Sequence, residues 1–413
     1  MKITNCRLCK TGLLGKPVLD LGKTPLANEF LSTIQEQDLF DLQICCCLKC
    51  GHYQLNESIE PERLFRDYVF VAGTSPINVE HFRKYAVHMV ELLNLKQGSK
   101  VLDIASNDGT LLQHFKNLNM KVLGIDPAKN IAEIANANGI ETIPEFFTEE
   151  YADQIVNNHG TFDLVTANNV FAHVPDLNDF AAGVKKILSP QGVFSFEVSY
   201  FGDVCDKMLF DTIYHEHSSY HTIDPLFYFF LTHNMHVFYI QHIGNHGGSV
   251  RIHVCHDSYT GNRKFNDDKC SEIWNEERGA FDANRSKMEN KVDKLQENIK
   301  KLGTELSNKL QHYKNKNKSI AIYGVPAKAT TLMYALGIDD KMIDFAIDDN
   351  PLKQGTFTPG KHIPVYGPEM MQESPPDVLL ILAWNFADSI MKKYPEFHGT
   401  WIVPIPELRE YHV

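Results

Sequence analysis

Short apolar runs separated by polar turns recur along most of this chain, and they alternate with segments whose apolar residues return every three or four positions. Lys100-Val101-Leu102-Asp103-Ile104 reads as a buried strand, leading through the turn Ala105-Ser106-Asn107-Asp108-Gly109-Thr110 into a helix from about Leu111. Lys121-Val122-Leu123-Gly124-Ile125 predicts the next strand, Asp163 to Asn169 a further one, and Gly192-Val193-Phe194-Ser195-Phe196-Glu197 another. The alternation of strand and helix predicts an α/β, doubly wound sheet. A second unit of the same kind is predicted near the end. Ser319-Ile320-Ala321-Ile322-Tyr323-Gly324 opens it, Ile343 to Ile347 follows, and Val378 to Ala383 ends at Trp384-Asn385.

Between the two units the pattern changes. From about Tyr259 to Asn317 charged and amide residues dominate, while Leu295, Ile299, Leu302, Leu306 and Leu310 recur at helical spacing. That predicts a long amphipathic helix linking the lobes and packed on its own domain, with an intermolecular coiled coil as the other reading. Lys314, Lys316 and Lys318 read as a solvated helix end. The resulting plan is a lobe at 1–70, a cofactor-type domain at 71–258, a helical linker at 259–318 and a second dinucleotide-fold (Rossmann-like) domain at 319–413.

Composition narrows the class. The chain has 413 residues, enough for two to three domains, and is 43% hydrophobic and 22% charged, as a globular enzyme would be. A net charge of −12 argues against a general nucleic-acid binder. The start, Met1-Lys2-Ile3-Thr4-Asn5, shows no secretory pattern, and no apolar run is long enough to span a bilayer, so the expectation is a cytoplasmic protein with reduced thiols and no membrane partner. Oligomeric state leaves no mark in the sequence.

Six of nine cysteines fall within the first fifty residues. Cys6-x-x-Cys9 and Cys47-x-x-Cys50 are paired knuckles, and four thiolates close a tetrahedron around zinc, with no position open for substrate. The expected role of the ion is therefore structural. Disulfides are the other reading, and Cys45 or Cys46 could stand in for Cys47, although Cys47 alone keeps the two-residue spacing to Cys50.

Asp126 ends the second predicted strand, twenty-three residues after Asp103, where an acid suits the two hydroxyls of a ribose. The turn between them carries only Gly109 of a dinucleotide fingerprint. Asp103, Ala105, Asn107, Gly109 and Asp126 therefore point to S-adenosylmethionine more than to NAD. Asn168 and Asn169 end the strand that would face the methionine part. They and His173 are equally readable as turn and capping groups. In the last domain, the lack of a glycine fingerprint counts against NAD. Lys328, at a helix N-terminus, and Lys353 could hold a pyrophosphate or could be surface lysines.

The most unusual string is Phe210-Asp211-Thr212-Ile213-Tyr214-His215-Glu216-His217. A phenol, two imidazoles and a carboxyl within four residues suit proton transfer near neutral pH. A histidine pair satisfying loop carbonyls, or a metal bound by His215, Glu216 and His217, are the alternatives.

Over nearly its whole length the chain resembles the nucleotide-sugar C-methyltransferases, which include the deoxysugar C-3 methyltransferases of tetronitrose pathways. The resemblance is carried by the CxxC pairs, Leu21-Gly22-x-x-Pro25-Leu26-Ala27-Asn28 and Asp103-Ile104-Ala105-Ser106-Asn107-Asp108-Gly109. It continues in Ala167-Asn168-Asn169-Val170-Phe171-Ala172-His173-Val174, the Phe210–His217 string and His246-Gly247-Gly248-Ser249-Val250-Arg251. Asp349-Asn350-Pro351-x-Lys353-Gln354-Gly355 and Trp384-Asn385-Phe386 complete it. Ala105 departs from the glycine usual there. The resemblance implies a zinc lobe, an S-adenosylmethionine domain and a C-terminal domain that helps enclose the sugar nucleotide. It implies methylation at C-3 of a nucleotide-linked 4-ketosugar through an enolate, with His217 as base, Tyr214 and Glu216 beside it, and His215 as the other candidate base. His173, Arg251, Lys328, Lys353 and Asn385 become candidate substrate contacts. A rival reading, supported by Ala105 alone, is a non-catalytic assembly protein that keeps the zinc and cofactor folds.

Overall fold

The computed structural model describes residues 1–13, 16–66, 68, 70–261, 274–275, 277 and 281–412, with the backbone alone at 246 and 281–286. The start of the charged stretch, residues 262–273, lies outside the described residues. Three sheets organise the chain. In the first lobe, β1 (Leu19–Thr24), β2 (Phe40–Cys46) and β3 (Tyr53–Leu55) pair antiparallel. The other two sheets contain the expected parallel strands.

The central sheet is built from β4 (Lys100–Ile104), β5 (Lys121–Ile125), β6 (Thr142–Ile143), β7 (Phe162–Asn168) and β8 (Leu188–Ser199), all parallel. Next in the chain, the two-residue β9 (Ser219–Tyr220) leaves this unit and pairs with β3, completing the first lobe's sheet. The chain then returns as the hairpin β10 (Met235–Ile243) and β11 (Ser249–His256), with β11 antiparallel to β8. The spatial order is β10-β11-β8-β7-β4-β5-β6. From β4 the chain winds one way to β5 and β6, then crosses back to β7 and β8. The crevice at the carboxyl ends of β4 and β7 is therefore the switch point where such sheets take their ligands.

The third sheet has the order β14-β13-β12-β15-β16-β17. Its parallel strands are β12 (Ile320–Tyr323), β13 (Phe345–Ile347), β14 (Val365–Tyr366), β15 (Val378–Ile381) and β16 (Thr400–Val403), and β17 (Arg409–His412) closes the edge antiparallel. Its switch point lies between β12 and β15.

The amphipathic helix runs from Phe281 to Asn315. Leu295, Ile299, Leu302, Leu306 and Leu310 are buried in one core with Leu19 and Leu42 of the first lobe, Phe210 and Ile213, and Ile320 and Leu380 of the third sheet. The linker is thus a core element shared by both ends of the chain. Hydrophobic burial at its inner stripe is what keeps so polar a helix in place. No helix among the described residues is long and apolar enough to cross a membrane.

Candidate functional site

Cys6, Cys9, Cys47 and Cys50 bring their sulfurs within 4.8 Å of one another. Cys6 and Cys50 Sγ lie 3.6 Å apart and Cys9 and Cys47 Sγ 3.5 Å apart. Four Zn–S bonds of about 2.3 Å in a tetrahedron require sulfurs somewhat under ~4 Å apart, so the cluster fits zinc with every position filled by sulfur. Among the described residues it is the one group that gathers three or more potential metal ligands, and it does not include His215, Glu216 or His217. The first knuckle docks on the turn after β7. Arg7 Nη1 donates to Pro175 O (2.8 Å), and Asn178 Nδ2 donates to Arg7 O and Leu8 O (2.8 and 3.1 Å). Asp176 caps the helix Leu177–Ile187 there and pairs with Lys10.

The turn after β4 is left-handed at Ala105 (φ 53°) and Asn107 (φ 50°). A glycine takes that conformation without cost, whereas a side chain costs roughly 1–2 kcal/mol. Glycine would suit position 105 better on this ground, and the structure accommodates the alanine. Gly109 is also left-handed (φ 78°), and an added Cβ would lie 2.9 Å from Ile140, so that glycine is sterically required. Asp126 Oδ2 accepts from Asn107 N (2.9 Å) and Oδ1 from Ala128 N (2.8 Å), which fixes the carboxylate at the end of β5. Burial pushes its pKa up, against those two N–H groups. Asp103 is buried as well and accepts from Thr166 Oγ1 (2.6 Å). Burial raises it to about 7.

The connection out of the first lobe, at residues 70–73, crosses this turn. Asn107 Nδ2 donates to Phe70 O (3.1 Å), Ala72 N to Asn107 Oδ1 (2.8 Å) and Gly73 N to Asp108 Oδ2 (2.9 Å). At the end of β7, Asn168 Nδ2 and Oδ1 are buried with no hydrogen-bond partner among the described residues. Buried polar atoms are normally satisfied, so a polar partner, water or ligand, belongs there. Asn169 is left-handed (φ 58°) and its N–H donates to Glu197 O (2.8 Å). A fixed carboxylate and an unpartnered amide at the switch point have the chemistry to fit S-adenosylmethionine.

The segment from Asp211 to His217 reaches both parallel sheets: Asp211 and Ile213 bond to Trp384 and Thr331 beside the third sheet, and His217 packs on His173 after β7. His217 Nδ1 is 2.6 Å from Thr212 O. A carbonyl only accepts, so Nδ1 carries the proton, and in the neutral ring Nε2 holds the lone pair. The His217 ring lies 4.2 Å from the Tyr214 ring and 4.7 Å, edge-on, from His173, which follows β7. Desolvation lowers His173 to about 4, which keeps it neutral. Burial, reinforced by the charge of Glu216, holds the Tyr214 phenol well above its usual value. Glu216 is buried and accepts from Asn28 Nδ2 (2.7 Å) and Tyr68 OH (3.2 Å). Burial pushes it up to about 7 against both bonds. His215 turns the other way. Its Nε2 contacts Asp41 O (3.3 Å), its ring packs edge-on to Phe40 (5.7 Å), and burial lowers its pKa. It faces the first lobe's sheet and not His173.

The remaining candidates are scattered. Arg251 is buried in β11, where its Nε and Nη2 clamp Glu197 Oε1 (2.7 and 2.5 Å) and its guanidinium covers Tyr85 (4.3 Å). His81 Nε2 reaches the other oxygen of Glu197 (2.8 Å). Although burial alone would raise Glu197, the His81 bond and the Arg251 charge hold it below the usual carboxylate range. A cleft of about 610 Å³, lined by Ile77, His81, Ile243, Asn245 and Arg251 among others, opens beside this network. Lys353 is buried, donates to Val325 O (2.8 Å), lies 3.7 Å from Asp348 and sits over the Phe30 ring of the first lobe (5.2 Å), so its charge is engaged by the protein itself. Lys328, entering the helix Ala327–Ala335, sits over the Trp384 ring (5.9 Å), with Asn385 next along the chain. Sequence reasoning passed over Asn28, Tyr68, His81 and Glu197. Asn28 stands in one of the quoted strings, but nothing local marks the other three.

Three family descriptions match the chain in series: a zinc binding domain over residues 6–65, a methyltransferase domain over 79–228 and a C-methyltransferase C-terminal domain over 244–406. C-methyltransferase NovU of Streptomyces niveus is 33% identical over 416 residues, covering 98% of this chain and 96% of its own. The ubiquinone biosynthesis O-methyltransferase of Colwellia psychrerythraea is 24% identical over 127 residues, 30% of this chain and 52% of its own. Among solved structures, magnesium protoporphyrin IX methyltransferase from Synechocystis PCC 6803 with bound SAM overlaps 49% of this chain and 100% of its own, at 12% identity and a TM-score of 0.37.

Proposed function

Since this chain belongs to the C-methyltransferase family and is an S-adenosylmethionine-dependent enzyme with a zinc site, we propose that it methylates C-3 of a nucleotide-linked 4-keto-deoxysugar in the cytoplasm. S-adenosylmethionine supplies the electrophilic methyl group. The residues of this chain supply the carbon nucleophile. A C–H beside a ketone is acidified, and a base at C-3 converts it to an enolate. Nε2 of His217 takes that proton. The observation that carries this reading is the placement of the His217 ring, 4.7 Å from His173 just after β7, with its Nδ1 held by Thr212 O.

Around it, Tyr214 and the neutral His173 bracket the imidazole, and Glu216 with Tyr68 is set to position the sugar or the developing oxyanion. Asp126 and Asn168 hold the methyl donor. Lys328 and Asn385 lie at the second switch point, where the nucleotide half would be enclosed. Arg251, which lines the cleft beside β11, and Lys353 complete the substrate contacts, with Glu197 and Asp348 holding their charged groups in place. The domain plan that follows is a zinc lobe at 1–70, a methyltransferase domain at 71–258, a helical linker at 259–318 and a nucleotide-enclosing domain at 319–413.

A mass-spectrometric screen of nucleotide-4-ketosugars with labelled S-adenosylmethionine tests the substrate class, and transfer to oxygen or nitrogen acceptors alone would refute it. His217→Asn tests the base. The variant should bind both ligands and lose about 10²–10⁴-fold in solvent-deuterium exchange at C-3. Exchange at the wild-type rate would put the base elsewhere.

A further inference from the structure

The segment that presents His217 is fastened from the far end of the chain. Asp211, wholly buried, accepts a hydrogen bond from Trp384 Nε1 (2.6 Å), at the carboxyl end of β15. Two residues on, Ile213 O accepts from Thr331 Oγ1 (2.6 Å), on the helix Ala327–Ala335. Thr212 lies between these two attachments, and its carbonyl is the group that receives His217 Nδ1–H. Phe210, Ile213, Val325, Ala329 and Leu332 share one apolar core behind the contact. A carbonyl held on both sides by another domain has little freedom to turn.

We infer that Trp384 and Thr331 are positioning residues for the proton-transfer step: through Asp211 and Ile213 they fix the Thr212 carbonyl, and that carbonyl fixes the tautomer and direction of His217. The C-terminal domain thus completes the catalytic apparatus of the methyltransferase domain as well as enclosing ligand. The role of the histidine rests on the function proposed above, whereas the clamp itself does not.

The test separates the two. Trp384→Phe keeps an aromatic ring over Lys328 and removes the indole donor, while Thr331→Val removes the hydroxyl and Thr331→Ser restores it. Nitrogen-15 correlation spectra of the histidine rings, with the His217 signals assigned by their loss in His217→Asn, report the tautomer without any substrate. The full-length wild type and Thr331→Ser should show His217 protonated at Nδ1. Trp384→Phe and Thr331→Val should show averaged tautomers, and C-3 proton exchange should fall on the order of 10- to 100-fold with affinity for S-adenosylmethionine unchanged. Wild-type ring signals in both donor-deleted variants would overturn the clamp, as would an Nε2-protonated His217 in the wild type. Averaged tautomers with undiminished proton exchange would uphold the clamp and refute His217 as the base.

Discussion

Replacing Glu216 with glutamine should change how the stability of this protein depends on pH, and the size of the change follows from its surroundings. The carboxyl is buried between Asn28 and Tyr68, and burial lifts its pKa from 4.5 to about 7. A carboxyl raised on folding binds its proton more tightly in the native state. Its contribution is then fully present below pH 4.5 and is lost as pH rises through about 7. At ~1.4 kcal/mol per pH unit the native state forfeits about 3 kcal/mol over that interval. Glutamine has the same shape, still accepts from Asn28 and cannot ionise. Urea unfolding of wild type and Glu216→Gln at half-unit steps from pH 4.5 to 8 gives the difference directly. Asp103 and Glu277, both also raised to about 7, bend both curves alike and cancel in the subtraction. The variant should gain about 3 kcal/mol relative to wild type between the two ends. Parallel curves would mean that Glu216 is solvated or paired in its charged form, and the argument for its burial would fail.

Two further outcomes are expected. Cys9→Ser should abolish bound zinc and lower the melting temperature, with activity falling only in proportion to folded protein; a metal-free variant that stays folded yet inactive would assign the ion a chemical role. Asp126→Asn should weaken S-adenosylmethionine binding by roughly 1.5–3 kcal/mol in calorimetry, since the charged acceptor for ribose hydroxyls is lost and the amide oxygen can accept from only one of the two N–H groups of Asn107 and Ala128, and unchanged affinity would remove Asp126 from the site.

Much of this architecture can be read from the chain because its strands are buried on both faces and therefore stand out as continuous apolar runs. Lys100–Ile104 and Val378–Ile381 are cases, with edges within two residues of the expected ones. The cysteine spacing specifies its own geometry in the same way, and Cys45 and Cys46 stay outside the cluster. The candidate site is only half legible. Its Tyr-His-Glu-His string is conspicuous, but the ring that faces the other imidazole is decided by contacts with residues far off in sequence. Asp41 O draws His215 away, and Thr212 O turns His217 inward. Charges are the hardest to interpret. Arg251 and Lys353 look in sequence like ligand contacts, and only the fold reveals Glu197 and Asp348 as their partners. Tyr68 carries no local signature, because its significance arises only when Glu216 arrives beside it from 148 positions further on.

The two-residue strand β9 has a consequence for how the protein is born. The first lobe is synthesised first, yet its β3 edge gains its last partner only when Tyr220 emerges, roughly 165 residues after Tyr53. At ribosomal rates of about 5–20 residues per second, that edge waits on the order of ten to thirty seconds. Leu19 and Leu42 wait longer still for the buried leucines of the Phe281–Asn315 helix. Throughout that interval the nascent lobe offers unpaired backbone groups and apolar side chains to any neighbour, the condition that invites aggregation or chaperone capture. Early zinc capture would be its main protection, because the knuckles at residues 6–9 and 47–50 are complete long before the sheet is. Expression in zinc-depleted cells should therefore reduce yield through loss of nascent chains, ahead of any effect on the finished enzyme.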